Sequence, residues 1–138
     1  MAFTGPLEDR NLIRERMSAY ADASFRRDED AYLDCWTADA ERIGQGMTVQ
    51  GREALRQQWR GFWQVLEKMA FFCEVGSIEV DGDHATARCY CREIITMKDG
   101  TLWKVVGVYD DVLRREGETW RFARREYSLL LDEGRPSA

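Results

Sequence analysis

Histidine is all but missing from this chain of 138 residues, where His84 is the only one. One imidazole beside a turn leaves no His-rich zinc set, and the four cysteines (Cys35, Cys73, Cys89, Cys91) lack the C-x-x-C spacing of a metal knuckle, so no metal site is expected. The cysteines fit thiols in a reducing compartment better than a disulfide framework. No apolar run approaches the ~18 residues of a membrane span, and no basic-then-apolar leader is present. A cytoplasmic location without a membrane partner is therefore expected. Excess basic charge is lacking as well. The net charge is -5, whereas phosphate binding calls for net positive faces, so no nucleic-acid partner is expected. The arginine pairs Arg26-Arg27, Arg114-Arg115 and Arg124-Arg125 are interleaved with Asp28, Glu116 and Glu126 and read as solvated, ion-paired faces. Internal repeats and linkers are absent too, so residues 1–138 read as one domain with an ordered core of about 7–131.

What the chain does have is a run of strands. From Met69 to Leu131 it reads as four consecutive β-strands separated by Asp81-Gly82-Asp83, Lys98-Asp99-Gly100 and Glu116-Gly117-Glu118, clusters whose glycine and aspartate close hairpins. The strands are placed at Met69 to Val80, His84 to Met97, Thr101 to Arg115 and Thr119 to Leu131. One face of the second carries Ala85, Ala87, Cys89, Cys91, Glu93 and Ile95. Glu93 is the odd member: covered, its carboxylate needs a partner or a raised pKa; beyond the covered part, it is simply wet. A hairpin turning about Gly82 places Cys73 opposite Cys91 and Val75 opposite Cys89, read as small core residues. In the third strand the phase stays open. A two-residue Asp99-Gly100 turn sets the even positions beside Glu93, and a turn centred on Asp99 sets the odd ones there, so either Asp110 or Asp111 points inward.

The segment before the strands reads as helical cover. Leu7 to Arg27 carries Ile13, Met17, Tyr20 and Ser24 at i, i+3, i+4 spacing, with Glu8 and Asp9 in the first turn and Arg26 and Arg27 in the last. Tyr20 points inward on this stripe and Asp22 outward. A second helix runs from Asp28-Glu29-Asp30 to near Trp36-Thr37, with Tyr32, Leu33 and Trp36 on its apolar side. A short extended segment covers Ala40 to Gly46. The third helix, Arg52 to Leu66, carries Leu55, Trp59, Phe62, Trp63 and Leu66. That stripe is first of all core, though three bulky rings on one face also suffice to wall a pocket. Aromatic residues make up 12% of the chain, including five Trp, which suits a broad core, an interface or a lined cavity. Residues 1–6 read as a loose lead-in and 132–138 as a polar tail.

The order helix, helix, short strand, helix and four-stranded meander resembles the nuclear transport factor 2-like superfamily, with its SnoaL-like cyclases, scytalone dehydratase, ketosteroid isomerase and the small subunits of ring-hydroxylating dioxygenases. The matching patterns are Tyr20-Ala21 followed by Asp28; Trp36-Thr37-Ala38-Asp39-Ala40; Gly51-Arg52-Glu53-Ala54-Leu55; Val80-Asp81-Gly82-Asp83 with Ala85 and Ala87; Gly107 with Tyr109 and Asp111; and Gly117 with Trp120, Phe122 and Arg125. The resemblance implies an α+β cone, a curved and mostly antiparallel sheet around a cavity, covered by three N-terminal helices, and frequent homodimers through the outer sheet face. It implies a site inside the cone, lined by Trp36, Trp59, Trp63, Phe71, Cys73, Cys91, Tyr109 and Arg125. The His–Asp dyad of dehydratase-like members falls near Phe71 and Phe25 here, and the isomerase base near Gly44, so those mechanisms do not transfer. Tyr20 matches the isomerase tyrosine that donates to an oxyanion, and Asp111 lies near the second acid of that site.

Two readings follow. In one, the chain is an isomerase, dehydratase or cyclase for a small, mostly apolar cyclic, aromatic or polyketide-like molecule, with Tyr20 as oxyanion donor and Asp111 or Glu93 transferring the proton. No metal or organic cofactor is implied. In the other, it binds an apolar ligand without catalysis or serves as a dimeric accessory of an enzyme. A pocket carboxylate free of any structural arginine favours the first; carboxylates all locked by Arg125 or another arginine favour the second.

Overall fold

The computed structural model describes residues 2–133. Three helices pack on one face of a seven-stranded, mostly antiparallel sheet that is not closed. The elements in chain order are β1 (Phe3–Thr4), α1 (Leu7–Arg26), α2 (Glu29–Asp34), β2 (Trp36–Gly44), β3 (Met47–Gln50), α3 (Arg52–Val65), β4 (Leu66–Asp81), β5 (His84–Met97), β6 (Leu102–Glu116) and β7 (Thr119–Asp132). Across the sheet the order is β1-β4-β5-β6-β7-β2-β3, parallel at β1–β4 and β2–β7 and antiparallel elsewhere. This is the α+β cone that the resemblance implied.

The α1 stripe is buried as its spacing requires: Ile13, Met17, Tyr20, Ala23 and Ser24 face the sheet, and Asp22 is exposed. Arg27 ends α1 in the left-handed region at φ 55, where its backbone N–H returns to Ala23 and Ser24. Its guanidinium lies 4.6 Å from the Trp63 ring centre and donates to the Trp63 carbonyl, tying the end of α1 to the end of α3. Asp28 caps α2 by accepting from the Ala31 N–H.

Three local readings are corrected. First, α2 stops at Asp34 and Trp36 opens β2 instead of closing the helix. The Phe122 N–H takes the Cys35 carbonyl and β2 pairs with β7, which draws the chain out straight. Second, the extended segment is a hairpin. Gln45 (φ 54) and Gly46 (φ 75) make a two-residue turn that leads into β3, a strand of only four residues (Met47–Gln50) in which Val49 alone is half-buried. Third, the lead-in is not loose: Phe3 and Thr4 pair with Ile78 and Glu79 of β4. The tail expected at 132–138 lies outside the described residues beyond Glu133, and Asp132 itself ends β7.

The meander settles the register. Cys73 faces Cys91 and Val75 faces Cys89, as expected from the first hairpin. The route is less direct than a turn on Gly82: Asp81 pairs with His84, and a bulge between Val75 and Ser77 restores the phase. Glu93 pairs with Val105 and Cys89 with Tyr109, so the odd positions of β6 share the inner face with Glu93. Asp111 is therefore inside and Asp110 exposed.

Candidate functional site

Helix α3 lies across the concave face and leaves a cavity between itself, α1 and the sheet. Its inner compartment is bounded by Tyr20 and Ser24 of α1, Tyr32 of α2, Arg42 of β2, Trp59, Phe62 and Trp63 of α3, and Leu66, Met69, Phe71, Glu93 and Tyr109 of the strands, with about 380 Å³ of empty space, mouth included. An outer compartment of about 540 Å³ adjoins it and is bounded by Val65, Ile95, Met97, Trp103 and Tyr127. Arg42, Phe62, Leu66, Met69 and Glu93 border both. The walls are apolar and aromatic, and the polar groups are few and convergent, as small-molecule sites require.

Tyr20 is at the centre of the wall. Its ring lies 5.3–6.2 Å from those of Tyr32, Trp36, Phe71, Tyr109 and Phe122. Burial holds the Tyr32 and Tyr109 phenols well above the ordinary tyrosine range, with the Tyr20 phenol beside both, so these hydroxyls stay protonated donors.

The two acids proposed from sequence have opposite surroundings. Asp111 is buried deep and grips Arg125 through two bonds of 2.7 and 3.0 Å, both side chains being 0% exposed. The Arg125 guanidinium lies 4.5, 3.9 and 4.0 Å from the ring centres of Tyr20, Tyr109 and Phe122. Such an ion pair is a structural clamp. It also corrects the reading of Arg124-Arg125 as a solvated pair: Arg124 bonds Glu126 at the half-exposed surface, while Arg125 is core. Glu93 is half-buried and borders both compartments, and neither a hydrogen bond nor an ion pair holds its carboxylate among the described residues. Burial raises its pKa, and Arg42 and Arg125 oppose the rise from a distance.

Arg42 escaped the sequence reading. It donates weakly to Gln58 Oε1 at 3.4 Å and to the Tyr109 hydroxyl at 3.5 Å, and its Nε is buried without a partner. Alternation along Ala40, Arg42 and Gly44 puts Arg42 on the face of the buried Ala40, but only the structure shows which face that is.

Of the wall predicted from sequence, Trp59, Trp63, Phe71 and Tyr109 border the inner compartment. Trp36, Cys73, Cys91 and Arg125 border neither compartment. Trp36 packs behind Tyr20 and Tyr32, and Arg125 lies beneath the floor. At the dyad positions, Phe71 faces the cavity, whereas Phe25 is outside it, 47% exposed, with its ring 5.3 Å from Phe72. Among the described residues no group of three or more His, Cys, Asp or Glu side chains could hold a metal ion.

A model of the SnoaL-like domain family matches residues 5–126. The chain belongs to the SnoaL-like family. A provisionally assigned aromatic ring hydroxylase from Novosphingobium aromaticivorans is 29% identical over 93% of each chain, with a TM-score of 0.87. Two further structures share the fold. A provisionally assigned scytalone dehydratase from the same organism has a TM-score of 0.86 at 18% identity, covering 96% of this chain and 91% of the other. A hexachlorocyclohexane dehydrochlorinase, LinA type 2, has 0.85 at 17%, covering 96% and 92%. No curated protein sequence matches the chain.

Proposed function

We propose that this SnoaL-like protein is a pocket enzyme for a small, mostly apolar ring-bearing molecule, and that it isomerises, dehydrates or cyclises it by acid–base chemistry with Glu93 as the proton-transfer group. One observation carries the reading: Glu93 borders the cavity with no bonded partner, in surroundings that raise its pKa. Asp111, the other acid, is committed to Arg125 and is assigned no proton transfer. Tyr20 and Tyr109 present hydroxyls to the inner compartment, where a developing oxyanion would gain most from a donor. Fold neighbours named for dehydration and dehydrochlorination are consistent with such chemistry.

The second reading, a ligand-binding or accessory protein without catalysis, is favoured by the phenylalanines at both dyad positions and by the Asp111 clamp. In either reading a homodimer through the outer sheet face is proposed. Phe72 and Tyr90 point away from the cavity there and are 53% and 37% exposed, with Val108 beside Tyr90 in register and Arg92 between Phe72 and Val106.

The experiment is a thermal-shift screen of steroids, terpenes and aromatic polyketides, followed by proton NMR of each hit in deuterated water. Catalysis predicts exchange or conversion at a carbon next to a carbonyl, abolished in Glu93→Gln. A hit that binds the wild type and neither exchanges nor converts supports the accessory reading instead.

A further inference from the structure

Among the described residues four buried side-chain polar atoms have no hydrogen-bond partner: Trp36 Nε1, Arg42 Nε, Arg125 Nη1 and Tyr127 Oη. Two of them, on Arg42 and Tyr127, belong to residues that border the outer compartment. An unmet buried donor costs roughly 1–3 kcal/mol, so a ligand oxygen that reached either residue would meet a donor with no bond to give up. Neither residue is satisfied elsewhere. The two bonds that Arg42 makes are long, and no carboxylate lies within ion-pair distance of it among the described residues. Tyr127 lies flat over Gly107, where any Cβ would overlap its ring, so the glycine holds open the place the ring occupies. The nearby Asp132 accepts from Trp103 Nε1 at 3.3 Å.

A guanidinium and a phenol both donate, and the guanidinium adds a full positive charge in a planar fork. Their natural complement is an anionic oxygen, best of all a carboxylate. Apart from Gln45 and Glu93, the rest of the compartment is apolar, with Phe62, Leu66, Met69, Ile95 and Trp103 among its walls, which suits a flat hydrocarbon body.

We propose that the outer compartment seats the acid end of the ligand, a ring-bearing carboxylic acid whose carboxylate is held by Arg42 and Tyr127 while its apolar body extends past Phe62 and Met69 toward Tyr20. This rests on the pocket reading above and narrows its ligand class. Glu93 borders the same space, where burial raises its pKa and so weakens its repulsion of an acid.

The test uses a matched pair of probes, 2-naphthoate and 2-naphthamide, titrated into the intact protein with Trp fluorescence and calorimetry as readouts. Wild type is expected to bind naphthoate about tenfold tighter or more, a difference of about 1.4 kcal/mol. Arg42→Gln is expected to bring naphthoate to the level of naphthamide, with Arg42→Lys in between. If wild type binds both probes equally, the acid seat is wrong and the pocket reading stands. If it binds neither up to the solubility limit, both fall. Should Arg42→Gln lose its circular-dichroism signature, Tyr127→Phe makes the same comparison, and a naphthoate preference unchanged by that variant overturns the seat.

Discussion

Two arginine–carboxylate couples occupy the inner face of one sheet, and only one of them is closed. Arg125 and Arg42 are neighbours in register across β7 and β2. Arg125 has Asp111 at 2.7 Å and three rings around its guanidinium. Arg42 has an amide and a phenol at the far limit of hydrogen bonding, and Glu93 stands across the cavity from it without contact. An arginine and a carboxyl group thus build a keystone in one place and stand uncoupled at a cavity wall in the other. What separates them is depth. Asp111 pairs with Ala87 on β5, whereas Glu93 is about 20 Å further along that strand at ~3.4 Å per residue, where the two compartments lie between α3 and the sheet. A complete buried pair rigidifies; an incomplete one at a cavity wall is available to a ligand.

The largest expected effect breaks the closed couple. Asp111→Ala leaves the Arg125 guanidinium buried and uncompensated and should cost about 3–5 kcal/mol in urea unfolding. A loss under ~1 kcal/mol would return Asp111 to the list of candidate catalysts. Next comes the packing that shapes the open side. Gly107→Ala drives a Cβ into the Tyr127 ring and should cost about 1–3 kcal/mol, with Tyr127 displaced in a crystal structure of the variant.

Glu93 gives the comparison a pH signature. Its folded pKa is raised above the usual 4.5. Between that value and the higher folded one, the native state binds more protons than the unfolded state, so stability falls as pH rises through the window. Wild type minus Glu93→Gln, measured by thermal unfolding across pH, isolates this slope from the rest of the chain. The variant should lack it, and its stability should come out equal to or above wild type at neutral pH. A slope of the opposite sign would mean that Glu93 is ion-paired in solution. Arg42→Gln should change stability by less than about 1 kcal/mol, since the residue it removes makes no ion pair.

The sequence carried the helices' buried stripe and the inner face of β5, because both follow from periodicity alone. It did not carry which acid would be clamped. Glu116 pairs with Thr119 around a two-residue turn, and that register continued unbroken would set Asp111 opposite Arg124. A bulge between Val112 and Leu113 moves the pairing by one residue, and Arg125 takes the place. Two adjacent arginines offer no hint of this shift, and neither residue type nor spacing announces a bulge. The phase of β6 was hidden for a related reason: it turned on one residue of the Lys98-Asp99-Gly100 turn. The free couple was half legible. Glu93 stands out as the charged member of a small apolar face, while the direction of Arg42 follows only once the structure shows Ala40, two residues earlier, to be buried.

The smallest effect on stability belongs to Tyr20→Phe, and it separates architecture from chemistry within one side chain. The Tyr20 ring touches five others and underlies Arg125, and phenylalanine keeps every one of those faces. Only the hydroxyl goes, so unfolding should shift by no more than about 1 kcal/mol. If the inner compartment binds and turns over a ligand, the hydroxyl is one of the donors that meets it, and affinity or rate should fall while stability holds. A stability loss above about 3 kcal/mol with ligand binding intact would reverse the assignment, making Tyr20 a further part of the Arg125 keystone and leaving Glu93 and Arg42 as the chemical groups of the cone.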